Sequence, residues 1–286
     1  MSTIVNKVNV KDGSRIFYRE AGSSEKQTVL LLHGYPTSSY MFRNLMPLLS
    51  GKFHVVAPDL PGFGFTEPAA GYHYTFDNIA ASIQSFTEEL HLKNYIIYIF
   101  DYGAPTGLRL ALMNPNKVKG FIVQNGNAYK EGLNEKFWGP IKQLWDTGPD
   151  ASPELTNAIK QFIKNPKNVE DQYYIGMKDK NSVDPLPIVA DVALIRKPGQ
   201  IQTQFDLFYD YRKNVELYPK FHEFFRSHNH LPMLIVWGNN DYIFTREGAE
   251  AYKRDFQGIN VKYYEAGHFA LETHATEIAE DILNCF

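Results

Sequence analysis

The sequence predicts an α/β fold: a mostly parallel, doubly wound sheet interrupted by one long helical insertion. Three observations carry that prediction. Short β-branched and aliphatic runs alternate with longer helical patterns, the sequence sign of βαβ units. Several of the apolar runs end abruptly on a reactive or turn-forming residue, as strands do where a doubly wound sheet opens its binding crevice. The alternation breaks off near Ala128, gives way to helical, proline-interrupted and aromatic-rich sequence, and resumes only near Leu231.

Taken in order, Thr3–Val10 and Ser14–Glu20 read as two opening strands, and Thr28–Leu32 as a buried strand ending at His33-Gly34. Phe53–Ala57 is the next strand, followed by a helix over Phe76–Leu90. Tyr95–Phe100 is too short for a helix and too continuously apolar for an exposed strand, so it is expected in the sheet centre. A helix over Ala104–Met113 and the strand Val118–Gln124 follow. After the insertion come the strand Leu231–Trp237, a helix over Arg246–Phe256, the strand Val261–Glu265 and a helix from Thr276. The expected division is a core in two parts, residues 1–127 and 229–286, with a helical cap over 128–228.

Composition excludes several function classes. A chain of 286 residues with 44% hydrophobic content buries one large core. Its 29 Lys and Arg are mixed along the chain with 32 Asp and Glu, for a formal charge of -3, so no nucleic-acid or anionic-membrane partner is expected. Cys285 is the single cysteine and is read as an idle thiol in a reducing compartment. The opening MSTIVNKVNVKDG lacks the apolar stretch of a signal peptide, and no segment reaches the ~18 apolar residues of a membrane span, so a cytoplasmic location is expected. No Cys/His cluster or H-E-x-x-H run argues for a metal, and no cofactor is expected. The 14% aromatic content, rich between residues 129 and 225, suits the walls of an apolar pocket.

The candidate chemistry sits at the strand ends. Asp101-Tyr102-Gly103 follows Tyr95–Phe100 and opens a helix: strand, sharp turn, helix, the layout that lifts one nucleophilic side chain into a pocket. In the usual G-x-S-x-G form, Asp101 stands for Ser and Ile99 for the first Gly, while Gly103 keeps the second. An Asp here could also serve only as a helix cap. Its partners favour the nucleophile: Asp241, in Gly238-Asn239-Asn240-Asp241, and His268, in Gly267-His268-Phe269, each follow a predicted strand in the order nucleophile, acid, base. The other acid position holds Asn125-Gly126-Asn127, with no carboxylate, so Asp241 is taken as the acid. Backbone N–H groups of Tyr35 and Tyr102 are expected to form an oxyanion hole. His33 and Pro36 are read as holding the His33-Gly34-Tyr35-Pro36 turn, and Gly62-Phe63-Gly64, with Asp59 and Pro61, as a tight structural turn rather than a phosphate loop.

The runs HGYPTSSYMFRN, APDLPGFGFTE, FDYGAPTGLRLA, VWGNND and GHFALE resemble the aspartate-nucleophile branch of the α/β hydrolases, which holds epoxide hydrolases, haloalkane dehalogenases and fluoroacetate dehalogenases. The resemblance covers both core segments. It implies the α/β-hydrolase fold and a two-step reaction, in which the carboxylate displaces a leaving group from carbon and His-activated water hydrolyses the ester. Haloalkane dehalogenases hold the departing halide with a Trp after the nucleophile and an Asn in the H-G-N-P turn or a cap Trp; this sequence has Tyr102 and Tyr35 in the first two places. Epoxide hydrolases protonate the leaving oxygen with two cap tyrosines. Phe208-Tyr209-Asp210-Tyr211-Arg212 resembles the run bearing one of them, which assigns a proton donor to Tyr211. Asp171-Gln172-Tyr173-Tyr174 is where the other is expected, Tyr173 before Tyr174, although either tyrosine could be packing alone. The expected activity is hydration of a small or mid-sized epoxide to a vicinal diol. The alternatives are a dehalogenase on the same triad, its substrate an alkyl halide, or a ligand-binding receptor on a hydrolase scaffold.

Overall fold

The computed structural model describes residues 2–150 and 152–286. Its strands are β1 (Ile4–Asn9), β2 (Arg15–Ala21), β3 (Thr28–Leu32), β4 (His54–Pro58), β5 (Tyr95–Phe100), β6 (Val118–Gln124), β7 (Met233–Gly238) and β8 (Asn260–Tyr264). They form one sheet in the order β1-β2-β4-β3-β5-β6-β7-β8. The first two strands pair antiparallel, as does β2 with β4, and every other pairing is parallel. Every residue of β3, β5 and β7 is buried, which explains their unbroken apolar sequences. By contrast β1 is an edge strand with nearly every residue exposed. Helices α1 (Leu45–Leu49), α2 (Phe76–Glu89), α3 (Gly103–Met113), α10 (Arg246–Ala251) and α11 (Leu271–Cys285) flank the sheet, α2 against α3 and α1 against α11. This is the α/β-hydrolase fold.

Several boundaries shift from the sequence expectation, among them the helix expected over Arg246–Phe256, which ends at Ala251, and two of the shifts have plain physical reasons. Strand β7 begins at Met233 rather than Leu231, because Pro232 has no N–H for the ladder and offers only its carbonyl, to Phe121. Helix α11 begins at Leu271 rather than Thr276, but His274 inside it has non-helical φ/ψ of -127° and 27°. The short preceding turn therefore carries none of the periodicity that marks the main helix. Helix α1 has a single turn and was not anticipated.

Between β6 and β7 the described residues hold six α-helices: α4 (Glu135–Thr147), α5 (Pro153–Lys164), α6 (Pro166–Tyr174), α7 (Pro185–Ile195), α8 (Gln200–Asp210) and α9 (Arg212–Ser227). Three of the prolines that interrupt this stretch are helix starts. Ser152, Asn165 and Asp184 each cap a helix through a side-chain oxygen, and Pro153, Pro166 and Pro185 follow them at the first helical position. There the missing N–H costs nothing. Among the described residues no helix is long and apolar enough to cross a membrane.

The inserted helices are tied to the core beneath them. Arg109 of α3, itself buried, donates to Asp77 and to Asn214 of α9 at 2.6 Å each, and Asp210 accepts from the Phe76 N–H at 2.9 Å. On the other side the loop after α6 lies on the turn before His268 so closely that a Cβ on Gly267 would meet the Ile175 carbonyl oxygen at 1.9 Å.

Candidate active site

The sheet order reverses between β3, which has β4 on one side, and β5 on its other side, so a crevice opens where their carboxyl ends diverge. Both ends deliver residues to it. Asp101, directly after β5, has a left-handed backbone with φ 48°, the strained turn that turns its side chain away from the sheet. The turn needs close backbone approach: a Cβ on Gly103 would lie 2.1 Å from the Leu32 carbonyl oxygen. Ile99, where the usual motif has glycine, is accommodated from the other partner. A Cβ on Gly107 of α3 would sit 2.6 Å from Ile99 Cγ2, so the glycine on the helix leaves room for the larger strand residue.

From β3 comes the Tyr35 N–H, which donates to Asp101 Oδ1 at 2.6 Å. His33, one residue before the turn, accepts from the Leu60 N–H at 2.9 Å and donates to the Gly34 carbonyl at 3.0 Å, holding this loop against the loop after β4. Asp59 fixes that second loop by accepting from the Ser39 and Phe65 N–H groups, both at 2.8 Å. Gly62-Phe63-Gly64 therefore lies in a self-bonded turn, with Gly64 at φ 55°.

The ends of β7 and β8 bring Asp241 and His268 together. His268 Nδ1 lies 2.8 Å from Asp241 Oδ2, and its Nε2 lies 3.9 Å from Asp101 Oδ2. Asp241 also accepts from the Asn125 side-chain amide at 2.8 Å and, through Oδ1, from the Ile243 N–H at 2.8 Å. With its carboxylate so supplied, Nδ1 is the protonated nitrogen of a neutral ring and Nε2 is left as a base. Nε2 has no hydrogen-bond partner among the described residues.

Burial decides the electrostatics. It pushes Asp101 up to about 6, against the opposing pull of His268 and of the Tyr35 and Tyr102 N–H groups. That value leaves the group an anion at neutral pH. Burial works the other way on His268, but the Asp241 and Asp101 carboxylates outweigh it, and the imidazole ends above its ordinary value.

Sequence reasoning did not assign Asn125 a role. It stands at the end of β6 with φ 44°, accepts from the Gly238 N–H at 2.9 Å and donates to Asp241, so one amide ties the end of β6 to the end of β7 and the loop that follows it. The signal was present: an Asn-Gly pair after a buried strand tolerates a left-handed backbone.

The tyrosines of the insertion fare differently. Tyr211, at the junction of α8 and α9, is fully buried between Trp138, Trp145, Phe76 and Tyr102, with ring centroids 4.7, 6.0, 5.6 and 5.9 Å away. Its hydroxyl is 3.4 Å from that of Tyr218, which also accepts from Asn127. Tyr173 stacks on Phe269 at 4.1 Å, next to His268, and its hydroxyl donates to Asp191 of α7 at 2.5 Å. Its hydrogen is thus committed to a buried carboxyl group. Phe208 closes the floor, with its ring 5.3 Å from Tyr35 and 6.2 Å from Tyr102. Phe208 also lines an apolar cavity of about 280 Å³, with Phe137, Ile141, Ile159 and Phe162.

Comparison with known proteins agrees with the fold. The profile of the alpha/beta hydrolase fold matches residues 27–275. An uncharacterized hydrolase, YNR064C, of Saccharomyces cerevisiae is 48% identical over 289 residues, covering 100% of this chain and 99% of the yeast protein. A haloalkane dehalogenase of Psychrobacter cryohalolentis is 39% identical over 105 residues, 36% of this chain and 35% of that protein. Among solved structures, the epoxide hydrolase CorEH superposes with a TM-score of 0.78 at 19% identity, over 100% of this chain and 99% of that one. The chain belongs to the α/β-hydrolase fold family.

Proposed function

We propose that this hydrolase opens a small epoxide to a vicinal diol through an ester on Asp101. The observation that carries the reading is the spacing of the three side chains. A hydroxyl nucleophile needs its base within hydrogen-bond reach, whereas Asp101 is an anion without help and its nearer oxygen stands 3.9 Å from His268 Nε2. His268 is placed to activate water against the ester carbonyl, with Asp241 and Asn125 fixing its tautomer. As that carbonyl gains charge, the Tyr35 and Tyr102 N–H groups are the donors beside it. The helices over residues 128–228 act as a cap that excludes bulk water from the two steps. Tyr211, kept protonated by burial, gives a hydrogen to the leaving oxygen. The apolar cavity that Phe208 lines favours an alkyl substituent.

The local similarity to a haloalkane dehalogenase supports a second reading, in which the same carboxylate displaces a halide. One assay separates the two. Turnover is compared on terminal and aryl epoxides, haloalkanes and fluoroacetate, and a single turnover with excess enzyme is run in heavy-oxygen water. Epoxide turnover whose first product oxygen comes from Asp101 is expected. Solvent oxygen delivered directly to product would remove the ester, and turnover of halides alone would replace the epoxide reading with the second.

A further inference from the structure

Two residues that flank Asp101, one through its N–H and one as its chain neighbour, carry buried phenol hydroxyls without a hydrogen-bond partner among the described residues. They are Tyr35 and Tyr102, 3% and 2% exposed. Native proteins seldom leave a buried donor unpaired, because its lost hydration is not repaid. The other buried phenols mostly follow that rule: Tyr129, Tyr173, Tyr252 and Tyr264 donate to Asp255, Asp191, the Gly126 carbonyl and Asp281. A third unpaired phenol, Tyr95, stands at the opposite end of β5 from Asp101. Phenylalanine at positions 35 and 102 would fill the same space without the cost, so the hydroxyls themselves call for a ligand.

Their placement says which ligand. Tyr102 follows Asp101 in the chain, and Tyr35 holds Asp101 Oδ1 through its N–H. The two rings lie 6.1 Å apart, and both face Phe208. Both phenol oxygens lie within the electrostatic reach of the Asp101 carboxylate. We propose that the hydroxyls of Tyr102 and Tyr35, on two core loops, receive the oxygen of the opening epoxide together with Tyr211. The inference rests on the Asp101 ester and assigns the acid that completes it.

The steps balance. A carboxylate oxygen of Asp101 attacks a ring carbon, the carbon–oxygen bond breaks with its electron pair on oxygen, and a phenol hydrogen passes to that oxygen, leaving a phenolate. Water then adds to the ester carbonyl and gives a proton to His268, and collapse expels the diol oxygen, which takes that proton. Asp101 is released as the acid and returns its proton to the phenolate. The order of events is favourable. Burial and the Asp101 charge hold both phenols in the protonated form before attack. Alkylation removes that charge just as the leaving oxygen needs the hydrogen.

The test uses the full chain carrying His268→Gln, so that ester accumulates, with Tyr102→Phe, Tyr35→Phe and both together. Quenched-flow mass spectrometry follows the adduct on the Asp101 peptide with 1,2-epoxyhexane as probe, and thermal unfolding is measured on each protein. Each single change is expected to slow adduct formation at least about tenfold and the pair about a hundredfold or more. The unfolding midpoints are expected to stay level or rise, since an unpaired hydroxyl has been removed. Undiminished adduct formation overturns this proposal alone, as does a midpoint lowered by several degrees, which would show that the hydroxyls are bonded in the packing. No adduct in the His268→Gln parent overturns the Asp101 ester and this proposal with it.

Discussion

At the strand ends the carboxylates of the site have named partners, while His268 Nε2 and the Tyr35 and Tyr102 hydroxyls are left for substrate: Asp241 accepts from His268, Asn125 and the Ile243 N–H, and Asp101 from the Tyr35 N–H. In the inserted helices the site is walled by aromatic rings, Tyr211 among Trp138, Trp145 and Phe76, whose contacts depend on shape rather than on pairing. The strand ends are also locked by backbone contacts that admit only glycine, at Gly103 and Gly267. Comparable apolar volume in the insertion could be supplied by several side chains. The core side of the site is therefore fixed atom by atom, and the insertion side is fixed by volume.

If that contrast holds, the largest effect belongs to Asp101. Asp101→Asn keeps the left-handed backbone, which asparagine tolerates, and is expected to lower turnover by about 10⁴-fold or more. It should also stabilise the fold. Because the folded value, about 6, lies above the ordinary 3.8, Asp101 favours the folded state below pH 3.8 and loses that contribution as pH rises through about 6. Replacing it should then raise stability at pH 7–8 by on the order of 1–3 kcal/mol, with the gain gone near pH 4. Calorimetry at both pH values checks this, and a gain that does not depend on pH would remove the burial argument.

The next effect is that of Asn125→Gly, which keeps the φ 44° backbone while removing the amide. A hydrogen bond to a charged group is worth about 1.5–3 kcal/mol, so ester hydrolysis should slow roughly 10–100-fold while alkylation of Asp101 is spared. Stopped-flow and single-turnover rates separate the two steps. Equal loss in both would mean that Asn125 supports the loops in general and not His268 in particular.

The same contrast explains what was legible in the sequence. Strands β5 and β6 are found with their exact expected ends, because buried parallel strands are unbroken apolar runs bounded by turn residues. Asp101 could be picked out because it stands directly after such a run, and Asp241 and His268 because each lies in the short loop after a later strand; the structure brings the three together. The bond between Tyr173 and Asp191 could not be read, since it joins α6 to α7 and depends on how two helices pack. Nor could the fit of Ile99 against Gly107, which only the strand-to-helix contact reveals.

A smaller effect is expected on the insertion side. Tyr211→Phe keeps the ring among its aromatic neighbours and removes a hydroxyl whose contact with Tyr218 is long, at 3.4 Å. Stability should change little, while alkylation by an epoxide should slow at least about tenfold. A halide leaves without a proton, so alkylation by a haloalkane should be nearly unaffected. Equal slowing with both would assign Tyr211 to shaping the pocket.

The smallest effect on activity, and the sharpest test of the division, lies where the two regions meet. Asp191 of α7 is buried against Tyr173 of α6 and Thr37 of the loop after β3, with Glu272 of α11 and Arg43 nearby. Burial raises its carboxyl to about 8, outweighing the Tyr173 and Thr37 hydrogen bonds and the Arg43 charge, while Glu272 adds to the rise. At neutral pH the group is therefore the acid. The folded value lies above the ordinary 3.8, so the folded state holds this proton more tightly than the unfolded chain. Its contribution is full below pH 3.8 and drains away as pH climbs through about 8. Asp191→Asn is nearly isosteric and still accepts from Tyr173, but it has no proton to lose. The difference in unfolding midpoint, variant minus parent, should consequently grow with pH and be at least about 3 °C larger at pH 8.5 than at pH 5. Alkylation of Asp101 at pH 7 should stay within about twofold of the parent, because Asp191 is neutral there and takes no part in either step. A midpoint difference that stays constant from pH 5 to pH 8.5 would mean that Asp191 is already ionised in the fold. A large loss of alkylation would instead bring Tyr173 and its carboxyl partner into the reacting site.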